Sequence, residues 1–228
     1  MDNYVLNLLQ LCDSTFPTGA FSHSFGLETY IQDGIIFNKE TFSKWNKAYI
    51  KEQLVYSDGL ACRLAYEALE NNDMDTIWML DGMLRAQILA RESREGSRII
   101  GERLLTLGNQ LYPSSRLTSY VDRIAKGVSY GHPAIAFALI SHSLSIPKNT
   151  TVMSYLFSSN ANLVQNAVRG IPLGQTQGQQ LIKESQDFIA DAWNLIETLT
   201  EDDFGITASG IEISQMRHEV LHIRIFMS

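Results

Sequence analysis

Near the end of the chain, "HEVLH" at 218–222 matches the H-E-x-x-H pattern of zinc-dependent hydrolases. On a helix, His218 and His222 share one face, and Glu219 stands where it can polarise a metal-bound water. Such a centre needs a third protein ligand, usually well downstream, but six residues follow His222 and nothing upstream nominates one. The flanking "ISQMRHEVLHIRIFMS" sets Met216, Val220, Ile223 and Met227 on one apolar face, with Arg217, His218 and Glu219 off it. The favoured reading is a docking or packing helix. No catalytic residue is assigned, and His218 and His222 stay only as a minor metal-binding option.

A second polar cluster, "DSTFPTGAFSHSFG" at 13–26, brings Ser14, Ser22 and Ser24 close to His23 in sequence. Neighbours in sequence rarely point at one another, and no G-x-S-x-G elbow strains a serine outward. The stretch also lacks the G-x-x-x-x-G-K-[ST] of a phosphate loop. Pro17, Gly19 and Gly26 read as a tight turn and a close helix approach, with Phe16, Phe21 and Phe25 as packing anchors. Asp13, Ser22 and His23 are left for partner contact or internal hydrogen bonds.

Three further joints are polar. "ARESREGSR" (90–98) sets Arg91 and Glu95, and Arg94 and Arg98, at i,i+4 steps. This is either a solvated, salt-bridged face or a compact array of forked donors suited to a partner's carboxylates. "VRGIPLGQTQGQQ" (168–180) is a glycine-broken corner where Arg169, Gln175 and Gln179 can satisfy exposed backbone groups. In "GVSYGHPAIAF" (127–137), Pro133 fits the first turn of a helix and His132 reads as structural. Nucleophile, base and oxyanion donors never converge, and no cofactor box is present. The output predicted is binding.

The elements that must hold these joints are helical. Apolar residues recur at three- and four-residue steps through 39–70, one long helix or two with a possible break at Gly59. Helices follow over 71–88, capped by Asp73 or Asp75, and over 97–111. The 131–144 segment is apolar nearly all round and reads as a central buried helix; Pro147 opens the next, with Val152, Leu156, Leu163 and Ala167 on one face. In 177–199 two seven-residue columns, Leu181/Phe188/Leu195 and Ile182/Ile189/Ile196, predict a broad packing face. Only "HIRIF" (222–226) alternates with period two. The fold class predicted is all-α, a single-domain bundle of about eight to ten helices.

Composition agrees with a globular chain: 228 residues, 45% apolar, 19% charged, net charge -7. The acidic balance argues against a nucleic-acid binder and against anionic membranes. Cys12 and Cys62 form no metal-type pair and read as reduced thiols. No signal peptide or membrane-length apolar run is visible, so a cytoplasmic location is expected.

Taken as an ordered set, "LLQLCDSTFPTGAFSHSFGLE" (8–28), "ARESREGSR" (90–98), "GHPAIAFAL" (131–139), "AVRGIPLGQTQGQ" (167–179) and "EISQMRHEVLHIRIFMS" (212–228) resemble the UreF family of urease accessory proteins. The resemblance implies an all-α, non-enzymatic adaptor without a cofactor of its own. It implies a homodimer that joins UreD/UreH, recruits the GTPase UreG, docks on the urease apoprotein and supports nickel delivery. It implies a link to UreG's GTPase cycle and an internal path for nickel through the complex with UreD.

The division implied is a core over 1–211 and a docking tail over 212–228, expected to be mobile alone and ordered on binding. Arg217, His218, Glu219, Arg224 and Phe226 are the tail's candidates for UreD/UreH. Arg91, Arg94 and Arg98, with Arg169 and Gln175, are the candidates for UreG, or else line an internal path or hold helices together. His222 is not required by the family pattern. The alternatives are a metalloprotease using "HEVLH" and a generic helical scaffold.

Overall fold

Nine consecutive residues, Pro133 to Ser141, are buried on every side, as the unbroken apolar run requires. They belong to the axis of a helical bundle, seen in a computed structural model that describes residues 4–206 and 208–228. The helices are α1 (Tyr4–Cys12), α2 (Leu27–Gln32), α3 (Lys39–Ala48), α4 (Leu60–Glu70), α5 (Met74–Gln87), α6 (Arg91–Leu111), α7 (Ser115–Ala125), α8 (Pro133–Ser143), α9 (Lys148–Gly170), α10 (Gln175–Ile196) and α11 (Ser209–His218). The axis α8 packs on α4, α6 and α9, with α5 and α7 beside it. No strand occurs among the described residues, so "HIRIF" forms none.

The rod over 39–70 does not break at Gly59. It changes winding: Tyr49–Gly59 is π-helical and joins α3 to α4 without interruption. Counted as one rod, α3 and α4 leave ten α-helices among the described residues. Gly59 keeps ordinary helical angles. Its lack of a side chain serves packing, because a Cβ there would lie 2.6 Å from Ile196 Cδ1. The same holds where α6 crosses the start of α8: a Cβ on Gly101 would sit 1.7 Å from the Gly131 carbonyl oxygen.

Caps stop and start the helices where short polar residues stand. Asp73 caps α5 by accepting from Thr76 N at 3.1 Å, and Asn38 forms a capping box with Thr41 on α3. In α10 the buried line runs Gly178, Leu181, Ser185, Ile189, Ala192, Trp193, Ile196. It crosses from one predicted column to the other, and Leu195 is left exposed. A straight helix drifts by about 20° per seven residues, so no single column stays inside for six turns.

One buried acid organises the centre. Asp81, inside α5, accepts from Tyr120 Oη at 2.7 Å and from the N–H groups of Tyr130, Gly131 and His132 at 2.6, 3.1 and 3.0 Å. These bonds hold the polar joint before α8. His132 then caps that helix, its Nδ1 accepting from Ala134 N. Burial lowers the His132 pKa, so the ring is neutral and structural.

Candidate functional site

The opening cluster folds into a tight loop between α1 and α2. Asp13 turns the chain by accepting from Thr15 N at 2.7 Å. Gly19 and Gly26 take φ of 81° and 90°, and Phe25 between them takes 48°, a left-handed conformation unfavourable for a residue with a Cβ. His23 is buried against Gly96 of α6, with Nδ1 2.9 Å from Ser228 Oγ. Burial, then the charges of Arg103 and His218, lower its pKa, so the ring is neutral. No carboxylate bonds its other nitrogen among the described residues, so the Ser228–His23 pair lacks the third member of a triad.

The "HEVLH" motif does not form one helical face. α11 ends at His218, and the chain continues as an irregular strap. His222 is exposed, whereas His218 is fully enclosed. Its Nε2 lies 2.9 Å from Glu28 Oε2 and its Nδ1 3.1 Å from Glu92 Oε2. Glu219 reaches α6, accepting from Arg91 N at 2.6 Å and Glu92 N at 3.3 Å. It thereby caps a helix whose own N-cap residue, Ala90, offers no side-chain acceptor. No group of three or more His, Cys, Asp or Glu is arranged to hold a metal among the described residues.

Two acids seat the strap. Glu28 also accepts from Ile225 N at 2.6 Å and Phe226 N at 3.1 Å. Glu92 also accepts twice from Arg224, at 2.8 and 2.9 Å. Burial raises the Glu92 pKa, but the bonds from Arg224 and His218 outweigh it and hold the carboxyl below its ordinary value. Arg217 forks onto Asp33 at 2.7 and 3.0 Å. Farther along, Met227 N donates to Ser22 O at 2.8 Å, and Ser24 N and Phe25 N donate to Ser228 O at 2.5 and 3.1 Å.

Phe226 is buried, its ring 4.9 Å from the Arg169 guanidinium, which also donates to Phe21 O and Asn166 Oδ1. Among the tail candidates, His218 and Phe226 therefore face the core, while Arg217, Glu219 and Arg224 span from strap to body. Outward point the apolar side chains: Val220 is 76% exposed and Ile223 81%, with Met216, Ile225 and Met227 also exposed.

The arginine block divides. Arg98 binds Glu95 and Glu102 on its own helix, and Arg94 donates to the carbonyls of Ile88 and Leu89 at the preceding joint. The predicted Arg91–Glu95 pair does not form; Arg91 is exposed and leans toward Glu219 at 3.9 Å. Gln175 is exposed at the start of α10.

A sequence model of the UreF family matches residues 36–186, more than half the chain. The chain belongs to the UreF family. Three proteins named urease accessory protein UreF align over nearly all of it. That from Bacillus sp. (strain TB-90) is 49% identical over 99% of this chain and 100% of the relative. That from Geobacillus kaustophilus (strain HTA426) is 50% identical over 100% and 99%. That from Paenarthrobacter aurescens (strain TC1) is 45% identical over 99% and 98%. The UreF model stops short of the 19–28 loop and of the strap, but these UreF relatives extend across both. No helix among the described residues is long and apolar enough to cross a membrane.

Sequence reasoning named His218 and Glu219 but missed Glu28, Glu92 and Asp81. A signal existed for Asp81, an acid amid the apolar "WMLDGML" of α5. None existed for Glu28 and Glu92, because their partners lie 190 and 126 residues away.

Proposed function

We propose that this chain is a non-enzymatic adaptor in urease maturation that holds UreD/UreH by the outer face of its tail. In this reading it works as a homodimer, presents its body to the GTPase UreG and supports nickel delivery to the urease apoprotein. Family membership supports the accessory role. One observation supports the tail: Val220, Ile223, Ile225 and Met227 stay exposed on a strap whose backbone is fixed by Glu28 and Ser22. Apolar side chains held outward by a rigid seat are suited to a partner surface, since less ordering entropy is lost on binding. Arg91 and Gln175, exposed and free of tight ion pairs, are the stronger of the candidates for UreG.

Removing 213–228 would also strip Ser214, Gln215 and His218 from the core, so it cannot separate docking from folding. The double variant Val220→Asp/Ile223→Asp alters exposed side chains only. It is expected to lose co-purification with UreD/UreH while keeping the wild-type melting temperature. Wild-type co-purification would reject the tail assignment. UreG turnover, titrated with Arg91→Ala and Gln175→Ala in the assembled complex, tests the second contact.

A further inference from the structure

The loop from Gly19 to Phe25 has two faces. On its inner face Gly19, His23 and Phe25 wall a cavity of about 390 Å³, and the exposed Phe21, with Ser14, Thr15 and Pro17, lines the rim where it meets solvent. The cavity runs inward past Ser93 of α6 to His132 at the head of α8. Ser93 Oγ and Gln87 Oε1, on its lining, have no protein hydrogen-bond partner, which marks a polar interior. The outer face of the same loop is the seat of residues 226–228. Ser22 O takes Met227 N, His23 Nδ1 meets Ser228 Oγ, and Ser24 N and Phe25 N share Ser228 O. Residues 226–228 do not themselves line the cavity.

The loop is also strained. A left-handed Phe25 between two left-handed turns persists only where its surroundings over-determine it. One of those surroundings is its own N–H bond to Ser228 O. From the inner side, the loop is held by Asn166 Nδ2 donating to His23 O at 2.7 Å. The tail therefore supplies much of what keeps this wall in place.

We propose that the 19–25 loop is the gate of the cavity and that seating of residues 226–228 is its latch. Unseating the tail removes four bonds from the loop, frees Phe25 to leave φ of 48° and opens the interior. The inference concerns the chain alone. Its extension, that a partner gripping the outer face of the tail would steady or move the gate, rests on the docking reading above.

Two native thiols allow the test. Cys12 lines the cavity, and burial pushes its thiol up to about 12. Cys62 is fully buried in α4 and does not line the cavity, so it reports global unfolding. A second cavity probe, Ser93→Cys in a Cys12→Ser background, sits on α6, remote from any fraying of α1. Iodoacetamide labelling of the full chain, read by peptide mass spectrometry, is compared between the parent and two latch variants, Phe226→Ala and a chain ending at Met227, which lacks the three bonds made by Ser228. Both cavity thiols are expected to label about tenfold faster, with Cys62 unchanged, as for a local opening. An unchanged rate at position 93 overturns the gate, whatever Cys12 does. So does a parallel rise at Cys62 in both variants, which would make tail and core one cooperative unit. Adding UreD/UreH afterwards examines the extension separately.

Discussion

His218 Nε2 lies 2.9 Å from Glu28 Oε2, and neither side chain reaches solvent. With Glu92 on the other ring nitrogen and Arg224 behind Glu92, two acids face two bases across the root of the tail. Carboxylate oxygens accept hydrogen bonds and imidazole nitrogens can donate them, so one ring can bridge both acids. The pair joins α2 to the end of α11 and decides where the strap begins.

Removing one member of such a cluster leaves the others buried without partners. His218→Ala is expected to cost about 3 kcal/mol in urea unfolding. Glu28→Gln keeps an acceptor but turns an amide toward groups that donate, and is expected to cost about 2 kcal/mol.

Acid should free the tail before it unfolds the core. Glu92 is held below its ordinary pKa, as is Asp33 through its bond to Arg217. A carboxyl depressed in the fold contributes stability above its unfolded value, about 4.3 for glutamate and 3.9 for aspartate, and loses it as pH falls through the folded value. Limited pepsin digestion below about pH 4 is expected to nick 219–228 first, with α8 still protected.

Asp81→Asn tests the joint before α8. The amide offers one acceptor oxygen where four donors converge, and its NH2 faces other donors. A loss of about 3 kcal/mol is expected in thermal or urea unfolding, from buried donors left unmet.

Gly101→Ala tests the crossing of α6 and α8. The added carbon would overlap the Gly131 carbonyl oxygen, a backbone atom that cannot swing away. A loss of about 3 kcal/mol or more is expected, read as a lower urea midpoint at unchanged slope.

Much of the fold was legible because it is written locally. The apolar run of α8, the Asp73 cap and Pro147 act within a turn or two of themselves. The winding of Tyr49–Gly59 was not, because what confines Gly59 there is Ile196 on another helix. At the site, Met216, Val220, Ile223 and Met227 are exposed, but the helical face their spacing predicted does not form, because the chain leaves the helix after His218. The helical face shared by His218 and His222 was not realised, since α11 ends where its last residue turns inward to two acids.

The sequence by itself determined the helical class, the central buried helix, the polar joints and membership in the UreF family. Periodicity, caps and ordered motifs need no knowledge of what lies across the core. Only the tertiary structure decided what the polar residues at those joints do. It made Glu219 the cap of a distant helix, Arg169 a brace between Phe21 and Phe226, and the 19–25 loop a wall shared by cavity and tail. The reason is distance along the chain. A hydrogen bond or ion pair acts over about 3 Å of space, whereas the bonds from Arg91 to Glu219 and from Arg169 to Phe21 join residues more than a hundred positions apart.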